Sequence, residues 1–580
     1  MSTEIRFLLA VVLMIAVLVI TNLAFPPTPP DELTGPQFPD SSLATEPADS
    51  NPLDIPGAVL QLTTPEAPGE AEPDPLLGIQ AAPGAEAEVA EEAAADQQVT
   101  VEGPLYSYTF SNRGARLLST ALMDFPSFTF PGAVELIHQD GGEALGTRVL
   151  VGRDTLDLRP ILFEAEPAEG LRLTQDGGPQ TLRFIYQHPI DPFRFEVAYT
   201  FHPDLYVVEA SGRVTGRDAD LVFTDLGTGI PFNEQREQDE ERSSAYVVNH
   251  LQEGIRSVPL RRVDEASVET GPFLWTAFKS KYFVMALLAG AAEEEEQYLG
   301  GVLVQEAPGE YQVPLAVSQS VSGDGTFDFR LFMGPQEFDR LTDLGTDMQN
   351  VNPYGWKVFR PIVRPVAAVV TRILGFLHEN LNIGYGWVLI LFGVLMRIVL
   401  FPLNQKGMKA QMKNMAAQPL MQEVQAKYKD NPEKLQKEMM KMYKEHGFNP
   451  LAGCLPMLLP WPVLIALFFV FQNTIELRGV PFLWLPDLSA PDPFYVLPAF
   501  LGISMFLLQW VSMRSMPQQN PQMKMMMYGM PIMMVFMFSQ LASGLNLYYA
   551  TANIATLPQQ IWIAGERKKA QAKGPLTLSK

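Results

Sequence analysis

Five apolar stretches after residue 380 constrain the fold of this chain more than any other feature. Each approaches the roughly 20 residues that a helix needs to cross a bilayer. So much contiguous apolar sequence excludes a soluble globular protein and predicts a polytopic α-helical membrane protein. The stretches are about 383–403, 455–474, 494–512, 526–542 and 545–563.

The first 100 residues predict an anchor followed by a tether. Residues 7–20 are uninterruptedly apolar, which fits a cleaved signal peptide or an uncleaved membrane anchor. No clear small-x-small cleavage site follows, which favours an anchor over 1–25. Residues 26–100 hold 14 prolines, 15 acidic residues and no Lys or Arg. Such a segment cannot bury enough apolar surface to fold, so we predict an acidic, Pro-rich disordered tether.

Residues 101–345 show the pattern of short β-strands. Apolar side chains alternate with polar ones from Phe193 to Phe201, and turn signals such as Asp140-Gly141-Gly142 separate the runs. This combination predicts an antiparallel β-sandwich.

A basic amphipathic helix is predicted within 346–380, over Trp356–His378. Lys357, Arg360, Arg364 and Arg372 fall broadly on one helical face. Next to a membrane segment, this pattern favours a helix lying in the interface plane. An ordinary surface helix on the sandwich is the alternative.

The net charge of −23 is divided unequally along the chain. Residues 26–380 carry 55 acidic and 23 basic groups, a net −32, which argues against nucleic-acid binding by this part. Residues 404–454 carry nine lysines against five acids. The positive-inside rule therefore places 404–454, 513–525 and the C-terminus in the cytoplasm. With the anchor as a sixth span, the N-terminus is cytoplasmic too and 26–380 lies outside.

Arg397 lies inside the first of the five stretches. A guanidinium keeps its proton, and placing it at membrane depth costs about 2.5–3.5 kcal/mol. That cost favours a site where water or partners solvate the charge. Alternatively, the side chain reaches the cytoplasmic headgroups, because Leu403 is only about 9 Å of helix further on.

The last stretch carries four polar side chains on one helical face, with spacings of four, three and four. They are Tyr549, Asn553, Thr556 and Gln560, and Gln509 lies near the inner end of the stretch 494–512. Lipid offers these groups no hydrogen bonds, so we predict a water-filled groove shared with Arg397. Hydrogen bonding between helices in a dry bundle is the alternative.

Residues 404–450 predict a cytoplasmic helical hairpin that is basic and rich in methionine. Methionine suits surfaces that accept many apolar partners, although it also serves as simple packing filler. The lysines are either solvated or near RNA or anionic lipid. The predicted contact residues are Met408, Met412, Met415, Met439 and Met442.

Enzyme signatures are absent from the sequence. Cys454 is the only cysteine, which excludes an intramolecular disulfide and a cysteine-cluster metal site. We therefore predict no catalytic residue, no metal and no cofactor. A transporter or channel with a sugar-binding sensory outer domain, or a membrane enzyme acting on sugars through 101–345, remains as an alternative function.

Three motifs resemble the YidC/Oxa/Alb family of membrane protein insertases over about 354–566. They are Met396–Leu403 (MRIVLFPL), Asn449–Pro456 (NPLAGCLP) and Ser543–Tyr549 (SGLNLYY), the last followed by Asn553 and Gln559-Gln560. The anchor, the tether and the outer domain resemble the Gram-negative form. Trp275 and Tyr282-Phe283 match the outer domain more loosely. Pro460 and Trp461 depart from the Gln and Met that many members have before Pro462.

This resemblance implies insertion and folding of inner-membrane proteins, alone or with the Sec translocon. It places Arg397 in a hydrophilic groove that attracts the polar leading part of a substrate. It also implies five core spans, a periplasmic sandwich similar to sugar-binding mutarotase folds, and a hairpin that engages substrate, ribosome or targeting factors. The expected partners are therefore nascent membrane proteins, these factors and membrane lipids.

Overall fold

The structure is a computed structural model that describes most of the chain after residue 95. Predictions for the anchor, for the tether before Asp96, for Pro460, and for Met439 and Met442 of the hairpin lie outside the described residues. These are 96–139, 142–290, 298–306, 309, 311–352, 360–416, 424, 427–428, 434–435, 437–438, 461–513 and 521–572.

The first half of the described chain is built of β-strands. In chain order they are β1 (Gln98–Glu102), β2 (Tyr106–Ser111), β3 (Arg116–Pro126), β4 (Ala133–Glu135), β5 (Thr147–Val151), β6 (Asp154–Asp157), β7 (Glu164–Glu166), β8 (Leu171–Arg172), β9 (Gln180–Gln187), β10 (Arg194–Phe201), β11 (Val207–Thr215), β12 (Leu221–Gly227), β13 (Ala245–His250), β14 (Gly254–Pro259), β15 (Ser267–Lys279), β16 (Phe283–Ala289), β17 (Leu299–Val304), β18 (Leu315–Ser320) and β19 (Thr326–Pro335). Two short helices, α1 (Glu237–Ser243) and α2 (Phe338–Asp343), accompany them.

The strands form two sheets. One has the order β4-β3-β2-β1-β8, and the other runs β6-β5-β12-β18-β17-β15-β16-β19-β11-β10-β9-β7, with β13 and β14 added beside β15. The pairs are antiparallel except for β1 with β8. The predicted alternation is confirmed in β10, where every second side chain from Phe195 to Phe201 is buried.

Aromatic side chains from both sheets meet in the core between them. Phe110 of β2 lies 5.7 Å from Phe184 of β9 and 5.5 Å from Tyr199 of β10, measured between ring centroids. Tyr106 and Phe201 make a similar contact at 6.5 Å. Aromatic pairs at these distances contribute stability beyond that of the area they bury. These contacts therefore hold the two sheets together face to face. The antiparallel sandwich is therefore the observed fold of this part.

The sandwich extends past both predicted boundaries. Its first strand begins at Gln98, inside the segment assigned to the tether. At the other end, Met348 and Val351 lie in the sandwich core, and the Trp275 indole N–H donates to the Thr346 carbonyl at 2.8 Å. Residues 346–352 thus belong to the sandwich and not to the amphipathic helix, because their apolar side chains complete its core.

In the described part of the chain after residue 359, six α-helices have defined bounds. They are α3 (Arg360–Leu381), α4 (Tyr385–Ala416), α5 (Trp461–Asn473), α6 (Val496–Met513), α7 (Pro521–Phe538) and α8 (Ser543–Ala572). Among the described residues, Tyr385–Pro402 and Val496–Met513 are long and apolar enough to cross a membrane, and Tyr528–Phe538 is a shorter apolar helix.

Helix α4 corrects the predicted start of the hairpin at residue 404. It continues through Pro402 to Ala416, so the span and the beginning of the hairpin form one helix. The segment after Pro402 is rich in Gln, Lys, Met and Ala, which favour helix and supply no stop. Met408, Met412 and Met415 therefore lie on the extension of α4.

Helix α8 is central to the helical bundle and packs against α4, α6 and α5, whereas α7 packs on α6. Helix α3 lies along α5, and its buried residues repeat every three or four positions as Val363, Ala367, Val370 and Leu374. The predicted amphipathic pattern is therefore real, and its apolar face is covered by α5. The location of α3 at the membrane interface stays a prediction.

Arg478, in the segment that follows α5, joins this bundle to the sandwich. Its Nε donates to Oε1 of Glu234 at 2.7 Å, and its Nη2 donates to the Pro126 carbonyl at 2.8 Å. The guanidinium also lies 4.2 Å from the centroid of the Phe128 ring. The side chains of Arg478 and Glu234 are only 2% and 7% exposed. The ion pair is therefore shielded from water and fixes the two parts together.

A second buried carboxylate, Glu240 on α1, lies beside this ion pair. Burial raises the pKa of Glu240 from 4.5 to about 7, and the negative charge of Glu234 adds to the shift. Backbone N–H groups of Lys281 and Asn233, which donate to the carboxylate, oppose it. Much of the Glu240 population therefore carries a proton at neutral pH.

This pKa predicts that Glu240 makes the sandwich less stable as pH rises. Between pH 4.5 and 7 the folded state holds a proton that the unfolded state has released, so the free energy of unfolding falls with pH. The loss from this group is on the order of 3 kcal/mol. Hydrogen exchange of β13 amides in the full-length protein measures it, with Glu240→Gln as the control. The same pH slope in both proteins would contradict the assignment.

Candidate functional site

Arg397 lies in the middle of α4 and is held by the backbone of α8. Its Nε donates to the Ala552 carbonyl at 3.0 Å. Among the described residues, the guanidinium makes this one hydrogen bond. No salt bridge to Arg397 is found among the described residues, and a bond to a neutral carbonyl leaves the charge of the donor in place. The side chain is thus fixed in position and remains cationic.

The Ala552 carbonyl also accepts a hydrogen bond from its own helix. The Thr556 hydroxyl donates to it at 2.6 Å, a common arrangement for a threonine four residues further along a helix. The predicted groove residue Thr556 therefore uses its donor locally, beside the carbonyl that holds Arg397.

Asn553 joins α8 to α6 at the same level of the bundle. Its Nδ2 donates to the Ser504 hydroxyl oxygen at 3.1 Å, and that hydroxyl donates to the Leu501 carbonyl at 2.7 Å. Together with the Arg397 bond, this contact forms a polar layer across α4, α8 and α6. We use "polar layer" for Arg397, Ala552, Asn553 and Ser504.

A groove of about 450 Å³ opens beside Arg397. Its lining residues on α8 are offset by one position from the predicted polar stripe, so Asn553, Thr556 and Gln560 are not among them. Apolar side chains dominate the lining, with Arg397 and Gln559 as the charged and polar exceptions. The lining consists of Val394, Arg397, Ile398 and Phe401 of α4 with Ala555, Pro558, Gln559 and Trp562 of α8.

Pro558 leaves a backbone carbonyl near this groove without its usual helical donor. This feature was not predicted from the sequence. A proline inside a helix has no N–H, so it cannot donate to the carbonyl four residues earlier, that of Ile554. In a membrane such a group needs water or another partner. Pro558 and the adjacent Gln559 were the available signals in the sequence.

Several buried polar atoms in the bundle have no hydrogen-bond partner among the described residues. They are Oε1 of Gln509, Nε2 of Gln559 and Oδ1 of Asn546. Groups of this kind in an apolar surrounding are normally satisfied by water. Their presence on α6 and α8 favours a hydrated interior over a dry bundle.

The remaining predicted site residues occupy different surroundings. The Tyr549 ring packs edge-on against Phe538 of α7 at 5.3 Å and touches Tyr548. Gln560 is half-buried on α8. The structure therefore places Arg397 and Asn553 in the polar layer and Thr556 beside it, whereas Tyr549 lies nearer the N-terminal end of α8.

The hydrogen bond between Asn553 and Ser504 predicts a measurable coupling between α6 and α8. Polar contacts between membrane helices contribute about 0.6 kcal/mol on average and at most about 1.7 kcal/mol. A double-mutant cycle with Asn553→Ala and Ser504→Ala, read by unfolding in mixed detergent, is expected to give a coupling in this range. Additive single effects would show that the two side chains do not interact.

The described residues contain no group of three or more His, Cys, Asp or Glu side chains that would hold a metal ion. The site is instead a positive charge held at a backbone carbonyl in an open, mostly apolar groove. Apolar helices that carry this site, together with an antiparallel β-sandwich, define the class as a helical membrane protein with a large β-sandwich domain.

Comparison with known proteins identifies the family. A family model described as "60Kd inner membrane protein" matches residues 376–571, and a model of the "YidC periplasmic domain" matches residues 98–369. The chain is 32% identical over 496 residues to the membrane protein insertase YidC of Chlorobium limicola, covering 81% of this chain and 83% of the relative. The YidC of Chlorobaculum tepidum is 30% identical over 521 residues, covering 82% and 84% of the two chains.

A crystal structure of an active YidC insertase with its first transmembrane domain resolved also matches. It is 17% identical, covers 81% of this chain and 93% of its own, and has a TM-score of 0.32. The two family models and these relatives show that the chain belongs to the YidC family of membrane protein insertases. Its β-sandwich falls within the match to the family's periplasmic-domain model, and its helices α4 to α8 fall within the match to the inner-membrane protein model.

Proposed function

We propose that this protein inserts and folds inner-membrane proteins through the groove beside Arg397. The observation that carries the proposal is the guanidinium held by the Ala552 carbonyl at the edge of that groove, with no carboxylate partner among the described residues. Its positive charge attracts an acidic or polar segment that has to cross the bilayer. Membership of the insertase family supports the same function.

The mechanism follows from the cost of moving polar groups through lipid. A groove that holds water and one positive charge shortens the apolar distance that a hydrophilic segment has to cross. The apolar segment of the substrate then moves along the apolar side of the groove, where Ile398 and Trp562 are exposed. Its transfer into lipid releases free energy as apolar area leaves water. The process needs no bond-breaking step, so we propose no catalytic residue.

We further propose six membrane spans, five of which form the core. The predicted anchor over 1–25 is the first, and α4 to α8 are the other five. The positive-inside rule then places both termini and the hairpin in the cytoplasm. Residues 26–380, including the tether and the sandwich, lie in the periplasm. The loop between α5 and α6 faces the same side, consistent with its contact to the sandwich through Arg478.

Partners on each side of the membrane are part of the proposal. The basic, Met-rich hairpin, including Met408, Met412 and Met415, is the contact surface for nascent chains and for the ribosome or targeting factors. Cooperation with the Sec translocon and contact with membrane lipids complete the assignment.

Site-specific crosslinking to a stalled nascent membrane protein tests the groove. A photoreactive residue at Ile398 or Trp562, both exposed in the groove, is expected to crosslink the nascent chain. Matched controls are Ile532 and Phe536, which are equally apolar and exposed on α7, away from the groove. Yields several-fold higher at the groove positions support the proposal. Equal yields at all four positions would reject it.

A further inference from the structure

The segment between α5 and α6 carries a cluster of exposed apolar side chains that the groove does not use. Leu483 is 72% exposed and Phe494 is 69% exposed. We call this surface the apolar ridge, and define it as Leu483, Trp484, Phe494, Tyr495 and Val496. A contiguous apolar patch of this kind on a protein surface marks an interaction site.

The tip of the apolar ridge is a closed turn. Phe482 and Leu485 exchange two backbone hydrogen bonds, both of 2.9 Å, and Leu483 and Trp484 lie between them. Leu483 has a φ of +55°, in the left-handed region that leucine rarely adopts. Glycine or asparagine is the usual residue for such a position. The turn therefore presents a large apolar side chain outward where a smaller polar one would fit the backbone better.

Asp492 holds the two halves of the ridge together. Its side chain is 1% exposed, and its Oδ1 accepts hydrogen bonds from the Trp484 indole N–H at 3.3 Å and from the Phe494 backbone N–H at 3.0 Å. Its Oδ2 accepts the Leu497 N–H at 2.6 Å, at the beginning of α6. The exposed side chains are thus fixed relative to α6.

The ridge lies where the two longest apolar helices begin. Val496 is the first residue of α6, and the Phe482 ring meets the Trp387 ring, near the start of α4, edge-on at 5.5 Å. A Cβ atom on Gly386 would lie 2.1 Å from the Phe482 ring, so glycine permits this close approach. The ends of apolar spans lie at the membrane–water interface, where Trp and Tyr are enriched.

We propose that the apolar ridge inserts into the interfacial region of the phospholipid leaflet on the side of the β-sandwich. The ridge itself carries no charged side chain. The carboxylate that contacts the ridge, Asp492, is already buried and accepts three hydrogen bonds. The five ridge side chains can therefore enter lipid without carrying a charge of their own.

This anchor gives the loop two attachments. Arg478 at its beginning binds the sandwich, and the ridge at its end binds lipid. The height of the sandwich above the bilayer is thereby set by one short segment. The inference does not depend on what passes through the groove.

Spin-label accessibility in the full-length protein tests the proposal. Cys454 is the only cysteine, so a Cys454→Ser background accepts a single label at Leu483→Cys or Phe494→Cys. The protein is placed in vesicles of phosphatidylethanolamine and phosphatidylglycerol. The measurement is the ratio of collisions with oxygen, which prefers lipid, to collisions with a nickel chelate, which stays in water.

Two reference positions calibrate the ratio. Ile190→Cys, 82% exposed on the sandwich, reports water, and Ile532→Cys, 72% exposed on α7, reports lipid. We expect the ridge positions to exceed the Ile190 ratio at least several-fold. A ratio equal to that of Ile190 would overturn the proposal. Protection in native membranes but not in these vesicles would also overturn it, because it would assign the ridge to a protein partner.

Discussion

Replacing Arg397 with alanine is expected to lower insertion of single-spanning substrates by roughly ten- to a hundredfold. A hydrogen bond to a charged group contributes about 1.5–3 kcal/mol, and each 1.4 kcal/mol is a factor of ten. The substitution removes the positive charge at the edge of the groove. The measurement is insertion of a reporter substrate in cells depleted of their own insertase.

The control is Arg397→Lys, which keeps the charge and a donor for the Ala552 carbonyl. It is expected to retain most activity. The Arg397→Ala protein is expected to fold, because it no longer places a charge in the bundle. Wild-type insertion by Arg397→Ala would contradict the proposed role of the groove. Loss of activity in both variants would show that guanidinium geometry matters more than charge.

Replacing Arg478 with alanine is expected to cost about 3–5 kcal/mol in the free energy that joins the sandwich to the helical bundle. The substitution leaves Glu234 as a buried carboxylate without its partner. It also removes the contact with the Phe128 ring and the hydrogen bond to the Pro126 carbonyl. Hydrogen exchange at the Phe128 amide, which donates to the Asn233 carbonyl, is expected to accelerate by roughly two to four orders of magnitude.

A surface ion pair provides the comparison for this prediction. Arg172 pairs with Glu102 on the sandwich, but the two side chains are 80% and 53% exposed. Arg172→Ala is therefore expected to cost less than about 1 kcal/mol. The double variant Arg478→Ala/Glu234→Gln is expected to recover part of the loss, because no buried charge remains. Equal effects of Arg478→Ala and Arg172→Ala would mean that the buried pair does not join the two parts.

Local sequence patterns predicted the parts of the fold that depend on neighbours along the chain. The alternation in β10 predicted a strand with one buried face, because successive side chains point to opposite sides. The apolar run around Arg397 predicted a membrane-spanning helix from its length of about 20 residues. The extension of the sandwich core to Val351 was not predicted, because Met348 and Val351 follow no period of their own. Their burial depends on strands that lie far away in the sequence.

The site was predicted less completely than the fold. The sequence identified Arg397, but the atom that holds it is a backbone carbonyl, and every residue of α8 has one. The groove lining is displaced by one residue along α8. Neighbouring residues point about 100° apart on a helix, and the sequence alone does not show which face of α8 packs against α4. Arg478 and Glu234 are separated by 244 residues, and neither belongs to a pattern that would connect them.

The position of Arg478 has a mechanical consequence. The segment that carries it connects α5 directly to α6, so a load applied to the sandwich is transmitted to two helices of the bundle at once. Asn553 then passes it from α6 to α8, the helix whose carbonyl holds Arg397. A force on the sandwich would therefore reach the groove beside Arg397 through a chain of contacts that begins at one ion pair.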